Sequence, residues 1–171
     1  PHVFEAESRP GGMPVQTIPA YRLPREILSQ EVRMIERLGV RIETDRRLGL
    51  DFSLQDLRDR GFEAVFLGVG APLGQHLGIP GEEAAGVDDA IRFLREYNIR
   101  GSVPVGQQVV VVGGGNAAID TARTAIRLGA ESVTVLYRRT REEMPAYAEE
   151  IEEAELEERL RSGRPLKVKA G

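Results

Sequence analysis

Residues 109–120 read Val109-Val110-Val111-Val112-Gly113-Gly114-Gly115-Asn116-Ala117-Ala118-Ile119-Asp120. Four valines in a row suit a parallel strand buried on both faces. The three glycines allow a tight turn that other residues resist. From Asn116 the period changes. Ile119, Ala122 and Ile126 recur at helical spacing through Leu128, and Gly129 closes the run. Val133 to Tyr137 then reads as a second strand. Strand, turn, helix and strand form a βαβ unit, which predicts an α/β fold with Rossmann-like parallel sheets and three-layer packing.

Within that unit, Gly113-Gly114-Gly115-Asn116-Ala117-Ala118 fits the pattern G-x-G-x-x-G/A, with Ala118 in the last place. Each position has a physical reason. Gly113 permits the turn, a side chain at Gly115 would keep a pyrophosphate from the backbone, and small Ala118 lets helix and strand approach. The free N–H groups at the helix start, with the helix dipole, then suit phosphate. A glycine-rich loop with no ligand is the plain alternative. The flanking strand, helix and second strand favour a dinucleotide site.

The end of the second strand selects the nucleotide. NAD sites place Asp or Glu there for the ribose hydroxyls. This chain has Tyr137-Arg138-Arg139-Thr140-Arg141. Guanidinium forks suit phosphate, and a carboxylate would repel it. Arg138 and Arg139 are therefore the expected clamp for the 2′-phosphate of NADP(H), with Thr140 as an extra donor. The competing reading makes them solvated arginines that balance the acidic helix after them.

Outward from this unit the signals are coarser. His2 to Glu5 reads as a strand end and Pro10-Gly11-Gly12 as a turn. Leu28, Val32, Ile35 and Leu38 mark a helix opened at Leu23-Pro24 and stopped by Gly39. Val40 to Glu43 alternates like a strand, and Ser53 with Asp56 predicts a capped helix through Arg60. Ala64 to Leu67 is a buried-strand candidate before Gly68-Val69-Gly70-Ala71. A Gly- and Pro-rich loop over 72–86 leads to a helix over 87–96. Thr140 with Glu143 predicts a cap before an acidic helix over 146–161, and Leu166 to Val168 a final short strand.

Composition narrows the function classes. The charge of −4 shows no sign of a nucleic-acid partner, and no apolar run is long enough to span a bilayer. With no cysteine, this chain holds no disulfide framework, thiolate zinc site, iron–sulfur cluster or dithiol relay. His2 and His76 lie far apart and suggest no metal site and no acid or base. A cytoplasmic location is the default expectation. The acidic run 149–158 reads as a solvated face rather than a catalytic cluster. Asp120 reads equally as a ribose contact or as a helix-stabilising charge near the helix start. The residues offer no nucleophile beside a base, and hydride transfer needs none, because cofactors carry that chemistry.

These residues resemble a known family. The stretch 109–120, with 123–130, Tyr137-Arg138-Arg139 and Arg141 to Ala146, is similar to the NADPH site of the glutamate synthase small (β) subunit and related FAD/NAD(P)-dependent pyridine nucleotide oxidoreductases. Pro10-Gly11-Gly12, Ile18-Pro19, Tyr21 to Pro24 and Ile79 to Glu82 extend the similarity across 3–151. The resemblance implies an FAD domain split in sequence by an inserted NADPH domain. It gives the chain a partial FAD-binding domain over 1–85, a junction over 86–105 and the first half of an NADP(H)-binding domain over 106–171. It places Glu5 on the FAD adenosine ribose, Gly11 and Gly12 near the flavin nucleotide, and Gly70-Ala71 at a turn beside FAD. Arg22, in a shared motif, is read as structural first. Hydride would pass from NADPH to FAD, and electrons onward to a glutamate synthase large subunit or another iron–sulfur or flavin acceptor.

Three departures qualify that picture. The family's FAD fingerprint, which precedes the position of Glu5, has no counterpart here. Gly68-Val69-Gly70 stands where the family has Ala-Thr-Gly. The cysteine-rich N-terminal domain and the returning half of the FAD domain have no counterpart either. The chain is accordingly expected to be a fragment that holds FAD poorly. The alternatives are a non-catalytic nucleotide-binding or interaction module, and an NADH-linked flavoprotein in which Arg138 and Arg139 play no part.

Overall fold

The computed structural model describes residues 1–170; Gly171, the end of the expected 106–171 domain, lies outside them. The chain divides into two compact units. One comprises residues 1–16 and 20–71. The other takes residues 17–19 and the chain from Pro72 onward.

In the first unit, β1 (His2–Phe4) pairs in parallel with β2 (Arg41–Glu43), with Val3 opposite Ile42. The connection carries α1 (Gly12–Gln16) and α2 (Arg25–Arg37). Gly39 at φ +88° stops α2, a conformation that glycine adopts without strain. The helix is amphipathic as expected, yet none of its residues is buried; Ile27, Met34 and Ile35 are exposed. The packing centre is aromatic instead. Phe4 lies 4.8 Å from Phe52 and 6.0 Å from Phe62, and His2 stacks on it at 4.4 Å. Ser53 and Asp56 form the expected capping box at the start of α3 (Leu54–Asp59).

One expectation fails here. Ala64 to Leu67 forms no strand, and Phe66 is 94% exposed. The composition is right for a strand, but a strand exists only by pairing. β1 and β2 pair with each other and with no third strand among the described residues.

The second unit holds a three-stranded parallel sheet in the order β3 (Gln108–Val112), β4 (Ser132–Tyr137), β5 (Lys167–Ala170). α5 (Asn116–Arg127) crosses from β3 to β4 and covers one face, and α6 (Ala148–Ser162) packs on α5. Ile119, Ala122, Val135 and Ala154, each fully buried, centre the core. α4 (Ala90–Arg100) rests on α5 through Phe93 and Leu94. Residues 17–19 join this unit, where Asn98 donates to the carbonyl of Ile18 at 3.2 Å.

The structure amends several boundaries. β3 is not buried on both faces. Val111 points into the core, whereas Val110 and Val112 are 63% and 55% exposed, because α5 covers one side only. Among the described residues this unit therefore has two layers, not three. α4 starts three residues later than expected, where the Asp89 side chain caps it, and Gly101 at φ +75° ends it. The Thr140–Glu143 box opens a single 3₁₀ turn over Arg141–Glu143, not the acidic helix. Pro145 holds Met144 extended, so α6 begins at Ala148.

Candidate functional site

The glycine turn links β3 to α5, and each glycine meets a different constraint. Gly113 adopts φ +138°, and a Cβ there would lie 3.3 Å from that of Ala118; its N–H donates to the Leu136 carbonyl at 2.9 Å. Gly114 is buried. A Cβ there would fall 2.7 Å from the ring of Tyr137, and its carbonyl accepts from the Ala146 N–H at 3.0 Å. A Cβ at Gly115 would meet nothing within 4 Å. Gly115 is also the N-cap of α5, and no side chain caps that end. The turn thus presents an uncapped helix terminus to open space, the geometry that suits an anionic group.

The neighbouring residues frame the turn. The Asn116 side-chain oxygen accepts from the Tyr147 N–H at 3.0 Å, which fixes the entry to α6. Ala117 is half-buried, its carbonyl accepting from the Thr121 hydroxyl at 2.8 Å, and Ala118 packs inward. Asp120 is 3% exposed, on the core side of α5.

β4 ends at Tyr137, and Arg138, Arg139 and Thr140 follow it, all exposed. Neither Arg138 nor Arg139 forms an ion pair among the described residues. Arg141 does: its guanidinium grips Glu155 at 2.9 and 3.0 Å. The Thr140 hydroxyl is engaged locally with the Glu143 carboxylate at 3.2 Å. The acidic helix finds its partners elsewhere, in Arg123, Arg127, Arg141 and Arg161. Balancing that helix therefore does not occupy Arg138 or Arg139.

The acidic run is not simply a solvated face. Arg123, its side chain 6% exposed, lies under Glu150, Glu153 and Glu157. Burial pushes the Glu157 carboxyl up, but hydrogen bonds from Arg123 and Arg127 outweigh it and hold the group below its ordinary value. Glu158 is buried against Arg161. The sequence carried a signal for this. Glu150, Glu153 and Glu157 share one helix face, and Arg123 and Arg127 share another. For Tyr137 the sequence shows a strand end and the first residue of the Tyr137-Arg138-Arg139 motif, but not the contact of its ring with Gly114.

The expected FAD residues lie in the first unit. Glu5 follows β1, half-buried, and one carboxylate oxygen accepts from the Glu7 N–H at 2.9 Å. Gly11 and Gly12 take φ +125° and +56°, and a Cβ at Gly11 would meet Val15 at 2.5 Å. Gly70 and Ala71 are exposed. Arg22 is half-buried. A cleft of about 430 Å³ opens beside α2, with Arg9, Arg25, Arg33 and Glu36 among the residues that line it. Burial first, then the charge of Arg9, draws the Arg25 guanidinium below its ordinary value.

Both histidines have acidic neighbours. His2 lies 3.0 Å from Glu43, and His76 3.4 Å from Glu82. Glu82 fastens its loop: it accepts from the N–H groups of Leu77 and Gly78 at 2.7 and 2.8 Å, and these hold its carboxyl below the usual range.

The profile of the pyridine nucleotide-disulphide oxidoreductases matches residues 5–169. The chain belongs to the pyridine nucleotide-disulphide oxidoreductase family. It is 44% identical over 158 residues to the NADP(+)-dependent formate dehydrogenase subunit beta of Moorella thermoacetica, a match covering 91% of this chain and 22% of that one. It is 35% identical over 164 residues to a protein of Cereibacter sphaeroides that carries the provisional name of NADPH glutamate synthase small chain, covering 91% and 40%. The fold is shared with Mycobacterium tuberculosis FprA, solved in complex with NADPH, at TM-score 0.74 and 23% identity over 89% of this chain and 39% of that one. The chain thus spans between about a fifth and two fifths of the length of these proteins. For a pyridine nucleotide-disulphide oxidoreductase, the disulphide half of the family name has no residue here, since the chain contains no cysteine. No helix among the described residues is long and apolar enough to cross a membrane.

Proposed function

We propose that the second unit binds NADP(H), with the pyrophosphate on the Gly113–Gly115 turn and the 2′-phosphate between Arg138 and Arg139. One observation carries this reading: the turn opens at Gly115 into free space, and β4 runs directly into two exposed arginines that form no ion pair among the described residues. The residues fit the group. The uncapped helix end and the two exposed guanidiniums would each take an anion without displacing an internal bond among the described residues. Asn116 and Thr140 serve the frame in this reading, because their side chains already hold Tyr147 and Glu143.

A bound nicotinamide supplies hydride. The residues named here bind and orient the nucleotide, and none of them moves a proton. The relatives named for NADP(+)-dependent formate dehydrogenase and NADPH glutamate synthase support a role as the nucleotide-accepting part of a flavin-dependent oxidoreductase that serves a partner subunit. A glutamate synthase large subunit is one such partner; another iron–sulfur or flavin acceptor fits equally. Glu5, Gly11 and Gly12 would contribute to FAD, with Glu5 keeping one carboxylate oxygen for the ribose. The exposure of Gly70 and Ala71 favours a second reading, a module that binds nucleotide and no flavin.

Calorimetric titration with NADPH and NADH, on the wild type and on Arg138→Ala/Arg139→Ala, tests the site. NADPH should bind at least tenfold more tightly, and the double variant should lose that preference, as expected for about 1.5–3 kcal/mol of charge-assisted hydrogen bonding. Equal affinities in the wild type sink the reading. A flavin band in the visible spectrum of the purified chain supports the oxidoreductase, and its absence supports the module.

A further inference from the structure

The structure gives Tyr137 two contacts that bracket the arginine pair. Its ring lies against the backbone of Gly114, so that a Cβ at that position would sit 2.7, 2.8 and 2.9 Å from three ring atoms. Its hydroxyl donates to the Glu143 carbonyl at 3.2 Å. Arg138, Arg139 and Thr140 lie in the short loop between those two anchors. Further along, the Ala146 N–H binds the Gly114 carbonyl, and the Tyr147 N–H binds Asn116. The segment 137–147 is therefore fastened to the glycine turn at both ends.

We propose that Tyr137 is a positioning residue for nucleotide selection: its ring sets the distance from the glycine turn to the arginine loop, and its hydroxyl holds that loop closed. The inference rests on the NADP(H) reading above. In a dinucleotide the pyrophosphate and the 2′-phosphate are joined by a short, stiff adenosine. The donors for one must stand at a fixed distance from the donors for the other. Exposed arginines on an unfastened loop would lose rotamer and backbone freedom on binding, which erodes affinity. A loop closed by Tyr137 has already lost much of it. The identity of residue 114 follows from the same contact. Gly114 is not at a positive φ, so its backbone alone does not demand glycine; the space for a side chain is filled by the Tyr137 ring.

The test titrates the full chain with NADPH and NADH in five forms: wild type, Tyr137→Phe, Tyr137→Ala, Gly114→Ala and Gly114→Ala/Tyr137→Ala. The arginine double variant serves as reference, and circular dichroism checks folding. Tyr137→Phe removes only the hydroxyl contact. It should cut the NADPH-over-NADH preference by about fivefold, the equivalent of one hydrogen bond, while NADH affinity changes less than about twofold. Tyr137→Ala should abolish most of the preference. Gly114→Ala should weaken both nucleotides by about tenfold alone and cost little more once the ring is gone, the non-additivity expected of a direct contact. A preference that survives both tyrosine variants overturns the proposal, and so does an equal loss for NADPH and NADH in Tyr137→Phe. Absence of any preference in the wild type, or its survival in the arginine double variant, overturns the underlying nucleotide reading and the proposal with it.

Discussion

The Arg123 guanidinium in α5 meets the Glu157 carboxylate in α6 at 2.8 Å, with only 6% of the Arg123 side chain exposed. Glu150 closes on the same guanidinium from the first turn of α6. The helix that presents the glycine turn is thus bolted by charge to the helix packed upon it. Removing Arg123 leaves carboxylates facing each other over a mostly buried site. Arg123→Met is expected to lower stability by about 3–5 kcal/mol in urea melts, the range for breaking one side of a buried ion pair. Glu153→Gln, on a carboxylate 59% exposed, should cost less than about 1 kcal/mol.

The same network sets a pH dependence. The Glu157 carboxyl titrates below its ordinary value in the fold, so the folded state favours its charged form. Its contribution is fully present above the unfolded-state pKa and is lost as pH falls through the lower folded value. Stability should therefore fall off in the acid range below ordinary glutamate titration. Glu157→Gln should flatten that part of the acid-unfolding profile followed by circular dichroism. An unchanged slope counts against the network.

Gly113 combines a positive φ with a close neighbour. Gly113→Ala forces a side chain into a conformation that L-residues avoid and crowds Ala118 at 3.3 Å. The expected loss is about 1–3 kcal/mol, read as a lower Tm. Gly115→Ala, whose Cβ enters open space, should leave Tm nearly unchanged and weaken nucleotide binding instead.

A further pair lies away from the site. The Asp89 carboxylate caps α4 by accepting from the Arg92 N–H at 2.9 Å, and a Cβ at Gly74 would overlap the other Asp89 oxygen. Asp89→Ala should cost about 1 kcal/mol. Gly74→Ala should cost a similar amount by displacing the cap, and the double variant should fall short of the sum.

Because Arg138 and Arg139 are exposed, the attraction proposed for them toward a 2′-phosphate is open to screening. NADPH affinity should fall several-fold between about 0.05 and 0.5 M salt, where the screening length shrinks well below 10 Å. NADH affinity should fall less. Parallel losses would remove the arginines from the account.

The parts of this molecule legible in its sequence are those written locally. The run from Val109 to Ala118 specifies a strand, a turn and a helix by residue type alone, and β3 and α5 lie where that run puts them. What the sequence withheld depends on partners far along the chain. Ala64 to Leu67 has the composition of a strand and no neighbour to pair with. Val110 and Val112 have the composition of a core and only one covered side to their sheet. Glu150 and Glu157 look like solvated residues until Arg123 arrives from a helix about 30 residues earlier. At the site, the glycines and arginines declared themselves by pattern. The contact of Tyr137 with Gly114 did not, because it is a ring resting on a residue with no side chain to show in the pattern.

The Tyr137 contact has an optical corollary. The chain contains no tryptophan and four tyrosines. Two of the four, Tyr137 and Tyr147, stand within the segment that arches over the glycine turn, one by its ring and the other by its backbone N–H. Half of the tyrosine side chains of the protein thus lie on that segment. A nucleotide bound on the turn, as proposed, should therefore change the tyrosine fluorescence of the unmodified chain.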